Sequence, residues 1–135
     1  MVAAELARAI YAQGRFEEAE PFTYASEELA GTADVASQIS WRAVRAEILA
    51  RRREFAAAEE LARGAVALAE QTDGLNSQAR ALMDLAEVLE LAGRVAEAQP
   101  VLEHALDLLE RKGNAVSAGK ARTVLNESEA GIRSR

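Results

Sequence analysis

The sequence predicts an all-α fold, a right-handed superhelix of three stacked helix pairs closed by a seventh helix. Three observations predict it. The chain repeats itself: Thr32–Gln71 laid on Thr72–Arg111 at an offset of 40 gives 11 identities in 40 positions, including Ala46/Ala86, Leu49/Leu89, Ala58/Ala98 and Ala65/Ala105. A further copy lies 39 residues upstream, where Ala7, Phe16, Ala19, Glu20, Leu29 and Ala30 fall on Ala46, Phe55, Ala58, Glu59, Leu68 and Ala69. The composition favours helix: 31 alanines accompany only eight glycines, two prolines, three Phe, two Tyr and one Trp, and Ala, Leu, Glu and Arg are good helix formers. Finally, apolar residues recur at spacings of three and four. A period near 40 in such a chain means helix pairs, each burying its apolar face on the next.

Seven helices follow in order. Helix 2–13 carries Leu6, Ala7 and Ile10 and ends at Gly14-Arg15; helix 16–30 carries Phe16, Ala19 and Leu29 and ends at Gly31-Thr32. Helix 35–52 starts after Asp34, an N-cap residue type, and carries Ala46 and Leu49. Helix 55–71, with Phe55, Ala58, Leu61, Ala65 and Leu68, stops at Thr72-Asp73-Gly74, where Asp73 lies in the next N-cap position. Helix 75–92 buries Leu82, Leu85, Ala86 and Leu89 and ends at Gly93-Arg94. Helix 95–111 buries Ala98, Leu102, Ala105 and Leu108 and ends at Gly113-Asn114, with Asn114 capping a closing helix 115–130 that turns Val124 and Leu125 inward. The stretch from Ser128 to Arg135 reads as a fraying tail. Connections this short force consecutive helices to pack antiparallel. Pro21 and Pro100 each lie seven residues after a turn glycine, Gly14 and Gly93, and imply a slight kink or a late helix start. The repeats are thus about 2–31, 32–71 and 72–111, within one domain covering 1–135.

Within each repeat the first helix carries Leu6-Ala7-Ile10, Ala46-Leu49 or Leu85-Ala86-Leu89. A turn follows at Gly14, Arg53 or Gly93, then a second helix with Ala19, Ala58 or Ala98 and, seven residues on, Ser26, Ala65 or Ala105. Small residues there let helix axes cross at the usual 8–10 Å or so. This pattern resembles the tetratricopeptide repeat over about residues 2–111. The period here exceeds the family's ~34 residues, which implies longer helices or connections. Arg42 and Arg45 depart from the resemblance where apolar residues are usual, Arg53 stands in the glycine position, and Trp41 is one place off the usual aromatic. More narrowly, the runs 41–46, 61–68, 84–89 and 110–114 resemble the C-terminal repeats of actinobacterial multidomain regulators that join an adenylate/guanylate cyclase-like domain to an ATPase domain.

The resemblance implies a non-catalytic protein-interaction module whose first helices line a concave face. Carried over by register, the partner-binding positions are Arg8, Tyr11, Glu47, Arg51, Met83, Asp84, Glu87, Glu90 and Leu91. The family's Lys/Asn clamp for acidic tails is absent from them. The floor is acidic toward its C-terminal end, with an apolar patch at Met83 and Leu91, and suits a basic or amphipathic segment. A structural spacer or self-association module of a larger protein is the alternative reading, with a nucleic-acid-binding helical domain, through Arg51-Arg52-Arg53, the weaker one.

Other functions find little support. Cysteine is absent, which removes disulfides, thiolate metal sites and thiol nucleophiles. No phosphate loop, His-Glu-x-x-His or Ser-His-Asp set occurs, so no catalytic residue, metal ligand or cofactor is assigned; His104 reads as an exposed helix residue. The net charge of −6 opposes nucleic-acid binding. The basic run Arg51-Arg52-Arg53 reads as helix-terminal cations, neutralised by Glu54, Glu59 and Glu60, and Trp41 reads as core. Neither an export signal nor a membrane span is visible, which points to the cytoplasm. Because the chain opens inside a repeat helix, weak self-association through the N-terminal helices is expected.

Overall fold

In a computed structural model, residues 2–30, 35–113 and 115–133 are described. Among them are seven helices and no strand: α1 (Val2–Ala12), α2 (Phe16–Ala30), α3 (Val35–Arg51), α4 (Phe55–Glu70), α5 (Leu75–Leu91), α6 (Val95–Lys112) and α7 (Ala115–Arg133). Each helix packs on the next, and α3 also packs on α1 and on α5. The first helices of the pairs therefore lie side by side. Helices α3 to α6 run 16 to 18 residues, so the long period resides in the helices and the turns stay tight.

The three turns inside the pairs share one hydrogen-bond plan. Gly14, Arg53 and Gly93 all adopt left-handed backbone, with φ of 80°, 66° and 80°. The next residue's N–H returns to the helix just ended: Arg15 to the Ile10 carbonyl, Glu54 to Leu49 and Arg94 to Leu89, at 3.2, 2.9 and 2.8 Å. These are the six-to-one bonds of a glycine-type helix stop. The carbonyls of Arg15, Glu54 and Arg94 then accept from Ala19, Ala58 and Ala98, and all three alanines are fully buried. Arg53 accepts a conformation that costs a side-chain-bearing residue about 1–2 kcal/mol. Helices α2 and α6 begin at Phe16 and Val95, ahead of Pro21 and Pro100, so neither helix starts late. Asp34 and Asn114, expected as N-caps, and the break at Gly31-Thr32 lie outside the described residues.

The largest apolar cluster joins Ala46, Ala58, Leu85, Leu89, Ala98, Leu102 and Leu125, drawing on α3 to α7. Two leucines expected in the core lie outside it. Leu29 is 77% exposed and Leu6 43% exposed. The buried stripe of α2 is Ala19, Thr23 and Ser26, and Leu29 lies about 80° around the helix from Ala19 at 100° per residue. Leu6 matches Arg45 in register, and Arg45 is covered by α2; among the described residues no helix covers the same face of α1.

Arg45 itself is buried. Its guanidinium lies 3.9 Å from the Tyr24 ring centre and 4.5 Å from that of Trp41. Its Nε donates to Thr23 Oγ1 at 3.2 Å, and it pairs with Glu27 at 3.0 Å. A cation thus fills a slot that leucine fills in the next repeat, with two rings, a hydroxyl and a carboxylate replacing water. At the other end, Ser128 is buried and α7 continues to Arg133. The expected fraying from Ser128 is therefore incorrect over 128–133, because Ser128 is tied to α5.

Candidate partner-binding cleft

Side chains from α1, α3 and α5 meet on the side these first helices share, the one expected to be concave. Arg8 spans from α1 to Asp84 on α5, Nη1 to Oδ1 at 3.4 Å and Nη2 to Oδ2 at 3.2 Å. The Tyr11 hydroxyl donates to Glu87 Oε1 at 3.2 Å. Arg51 of α3 donates from Nε to the Tyr11 oxygen and from Nη2 to Glu87 Oε1, at 3.2 and 3.3 Å. Glu47 lies beneath, 3% exposed. One oxygen each from Glu47, Asp84 and Glu87 falls within 4.8 Å of the others, and Glu47 Oε1 accepts no hydrogen bond among the described residues.

Charge decides what completes this cluster. Three carboxylates face two guanidiniums, leaving one negative charge in excess in a desolvated position. Burial first, then Asp84 and Glu87, hold the Glu47 carboxyl well above the ordinary glutamate range. Burial and Glu47 likewise push the Tyr11 phenol up. With Glu47 protonated the charges balance, two against two. A divalent cation would instead sit against Arg8 and Arg51, so the donor set fits a proton better than a metal ion.

Six of the nine expected site residues (Arg8, Tyr11, Glu47, Arg51, Asp84 and Glu87) are thus brought together and engage one another. The other three, Met83, Glu90 and Leu91, line a hollow beside them. Asp84, Glu87, Leu102 and Val124 complete its walls, and its volume is about 500 Å³. The facing wall is α7, which approaches α5 through Leu125 beside Leu85 and Leu89 and through Ser128 Oγ, donating to Glu90 Oε2 at 3.1 Å. Burial raises the Glu90 carboxyl, the Ser128 bond opposes that, and Glu87 and Glu127 add to it.

At Met83 and Asp84 this hollow meets a second one of about 540 Å³, bounded by the early turns of α3, α5 and α7. Arg80 and Lys120 stand in its walls, both exposed, and neither forms an ion pair among the described residues. Arg80, Lys120, Val124 and Ser128 were not among the expected site residues. The 40-residue period carries the signal: Ser37, Ser77 and Ser117 are in register, as are Ser40, Arg80 and Lys120. Helix α7 is in that register a fourth first helix as well as a cap.

The arginine run is dispersed rather than presented. Arg51 turns into the concave network, Arg52 binds Glu17 and Glu20 through four hydrogen bonds, and Arg53 lies 6.0 Å from the Phe55 ring. Its neutralising carboxylates are Glu17, Glu20 and Glu87, not Glu54, Glu59 and Glu60. The reason is packing: α3 ends against the preceding pair, while Glu59 is held by Arg63 and Arg94. Trp41 is 5% exposed, its Nε1 donating to Gln38 Oε1 at 3.2 Å. His104 is exposed. No helix of the described residues is long and apolar enough to cross a membrane.

None of the curated proteins matches the chain. The family model for the tetratricopeptide repeat matches residues 37–111, more than half of the chain, and the chain belongs to that family.

Proposed function

We propose that this tetratricopeptide repeat protein is a non-catalytic interaction module that takes up a peptide or helix of a partner on its concave face. Tetratricopeptide repeats generally mediate protein–protein interaction. The observation that carries the reading is the hollow between α5 and α7, where Met83, Leu91 and Val124 offer apolar contact beside Glu87 and Glu90. A basic or amphipathic segment complements that surface. The setting we infer is a signalling or regulatory protein of the bacterial cytoplasm, in keeping with the resemblance to cyclase-like multidomain regulators.

A pull-down from the native host with wild type and Glu90→Arg tests this. Partners retained by wild type and lost by the variant support it; partners retained equally by both remove the cleft from the account. Glu87→Arg is a poorer probe, because Glu87 holds Tyr11 and Arg51 and its loss would disturb the concave network itself. If the array is only a spacer, neither form captures a partner.

A further inference from the structure

The concave cleft is bipolar along α5. Its first hollow places Arg80 and Lys120 beside the early turns of α5 and α7, and its second places Glu87 and Glu90 toward the end of α5. Met83 and Asp84 line both, so the two hollows adjoin at these residues and together make up a trough. Arg8 also faces the first hollow, but its charge is matched by Asp84. Arg80 and Lys120 carry no such match among the described residues, and both are exposed. Among the described residues the cationic end is therefore uncompensated, while the acidic end keeps Glu90, whose described partner is the neutral Ser128 hydroxyl. Between the ends lie Met83 and Val124, and Leu91 follows Glu90 at the acidic end.

We propose that the trough selects a partner segment by charge order: an acidic side chain over Arg80 and Lys120, apolar residues over Met83 and Val124, and a basic side chain over Glu87 and Glu90. This rests on the reading of the cleft as the partner surface and adds direction to it. The spacing follows from geometry. Ten residues of helix separate Arg80 from Glu90, about 15 Å at the usual rise. An extended chain covers that distance in about five residues, so acid and base stand about five positions apart in an extended segment. A reversed segment sets like charges against like at both ends, which is the repulsive half of specificity.

The test begins with a phage-displayed random dodecapeptide library panned on the full chain. An enriched peptide is then synthesised with a fluorescein label and titrated by fluorescence polarisation. The variants are Arg80→Glu/Lys120→Glu and Glu90→Lys, none of which touches the Arg8–Asp84 or Tyr11–Glu87–Arg51 contacts; circular dichroism checks that each stays helical. Enriched peptides should share the acid–apolar–base order. The double variant should weaken binding by about tenfold, equivalent to ~1.4 kcal/mol, and a peptide with its acid changed to lysine should recover it. If binding falls with Glu90→Lys but not with Arg80→Glu/Lys120→Glu, the cleft stands and the charge order is overturned. If neither variant weakens binding, or no peptide is enriched, both the order and the cleft reading fail.

Discussion

Replacing Leu102 by alanine tests the packing of the repeat against a leucine that the same sequence pattern nominates equally. Leu102 is 1% exposed and lies among Leu85, Leu89, Ala98 and Leu125. Truncation removes three carbons from a fully buried side chain, about 2.4 kcal/mol of transfer free energy at ~0.8 per group. Leu85, Leu89 and Leu125 are themselves packed into the same cluster, so they close the gap only in part. The residual cavity therefore adds to the transfer loss, and the total falls in the ~2–5 kcal/mol range of such substitutions. Leu29→Ala is the paired control. With 77% of Leu29 exposed, roughly a quarter of the transfer term applies and no cavity forms, so the cost is about 0.5 kcal/mol. Calorimetry or urea denaturation of both variants reads the difference. At ~3 °C per kcal/mol for a chain of this size, Leu102→Ala should melt about 6–15 °C below wild type and Leu29→Ala within about 2 °C. Equal shifts would refute the assignment of inner and outer faces to α6 and α2.

Substitutions at three further positions probe the polar and strained features. Glu47 has its carboxyl raised by burial and by Asp84 and Glu87, so the folded state holds a proton that the unfolded chain releases at lower pH. Its contribution is complete below the ordinary glutamate range and is lost as pH rises toward the raised folded value. Glu47→Gln keeps a donor and cannot ionise. The stability of the variant relative to wild type should therefore increase from pH 4 to pH 8 in urea denaturation; a flat difference would show that Glu47 titrates normally. Arg53→Gly relieves a left-handed φ of 66° and should raise stability by about 0.5–1 kcal/mol, net of glycine's extra freedom in the unfolded chain, whereas Arg53→Val should lower it; thermal melts that reverse this order would contradict the turn geometry. Arg45→Ala vacates the slot between Tyr24 and Trp41 and should cost about 2–3 kcal/mol, with Arg45→Met recovering much of it because the side chain fills the slot; equal melting of wild type and Arg45→Ala would show the stack contributes nothing.

The legible part of this fold is what the backbone period dictates. Six of the seven helices end within a residue or so of where glycine turns and apolar spacing put them, since those signals are local. The glycine equivalence reveals even the strained turn at Arg53. Burial was less legible where the buried stripe is not leucine. Thr23 and Ser26 are buried while Leu29 faces outward, because a close helix crossing selects for size before apolarity. Arg45 looked like a departure from the pattern, yet its place is made by Tyr24, a residue 21 positions away on another helix. At the site, register brought the right side of α1, α3 and α5 into view. It did not show that Arg8 and Tyr11 cross to Asp84 and Glu87, 76 positions along the chain, since such contacts depend on side-chain reach in three dimensions. Nor did it show the cations at Arg80 and Lys120, although Ser40, Arg80 and Lys120 repeat at the same period that defines the fold.

Site-specific photo-crosslinking tests most directly whether partners enter between α5 and α7. Benzoylphenylalanine is placed at Met83, a half-buried residue shared by both hollows, or at Glu103, an exposed residue of α6 that lines neither. Both proteins are irradiated in cells of the native host. Entry between α5 and α7 predicts a discrete crosslinked partner from Met83 that is absent from Glu103 and is diminished by Glu90→Arg. The same products from both positions, or products from Glu103 alone, would contradict it.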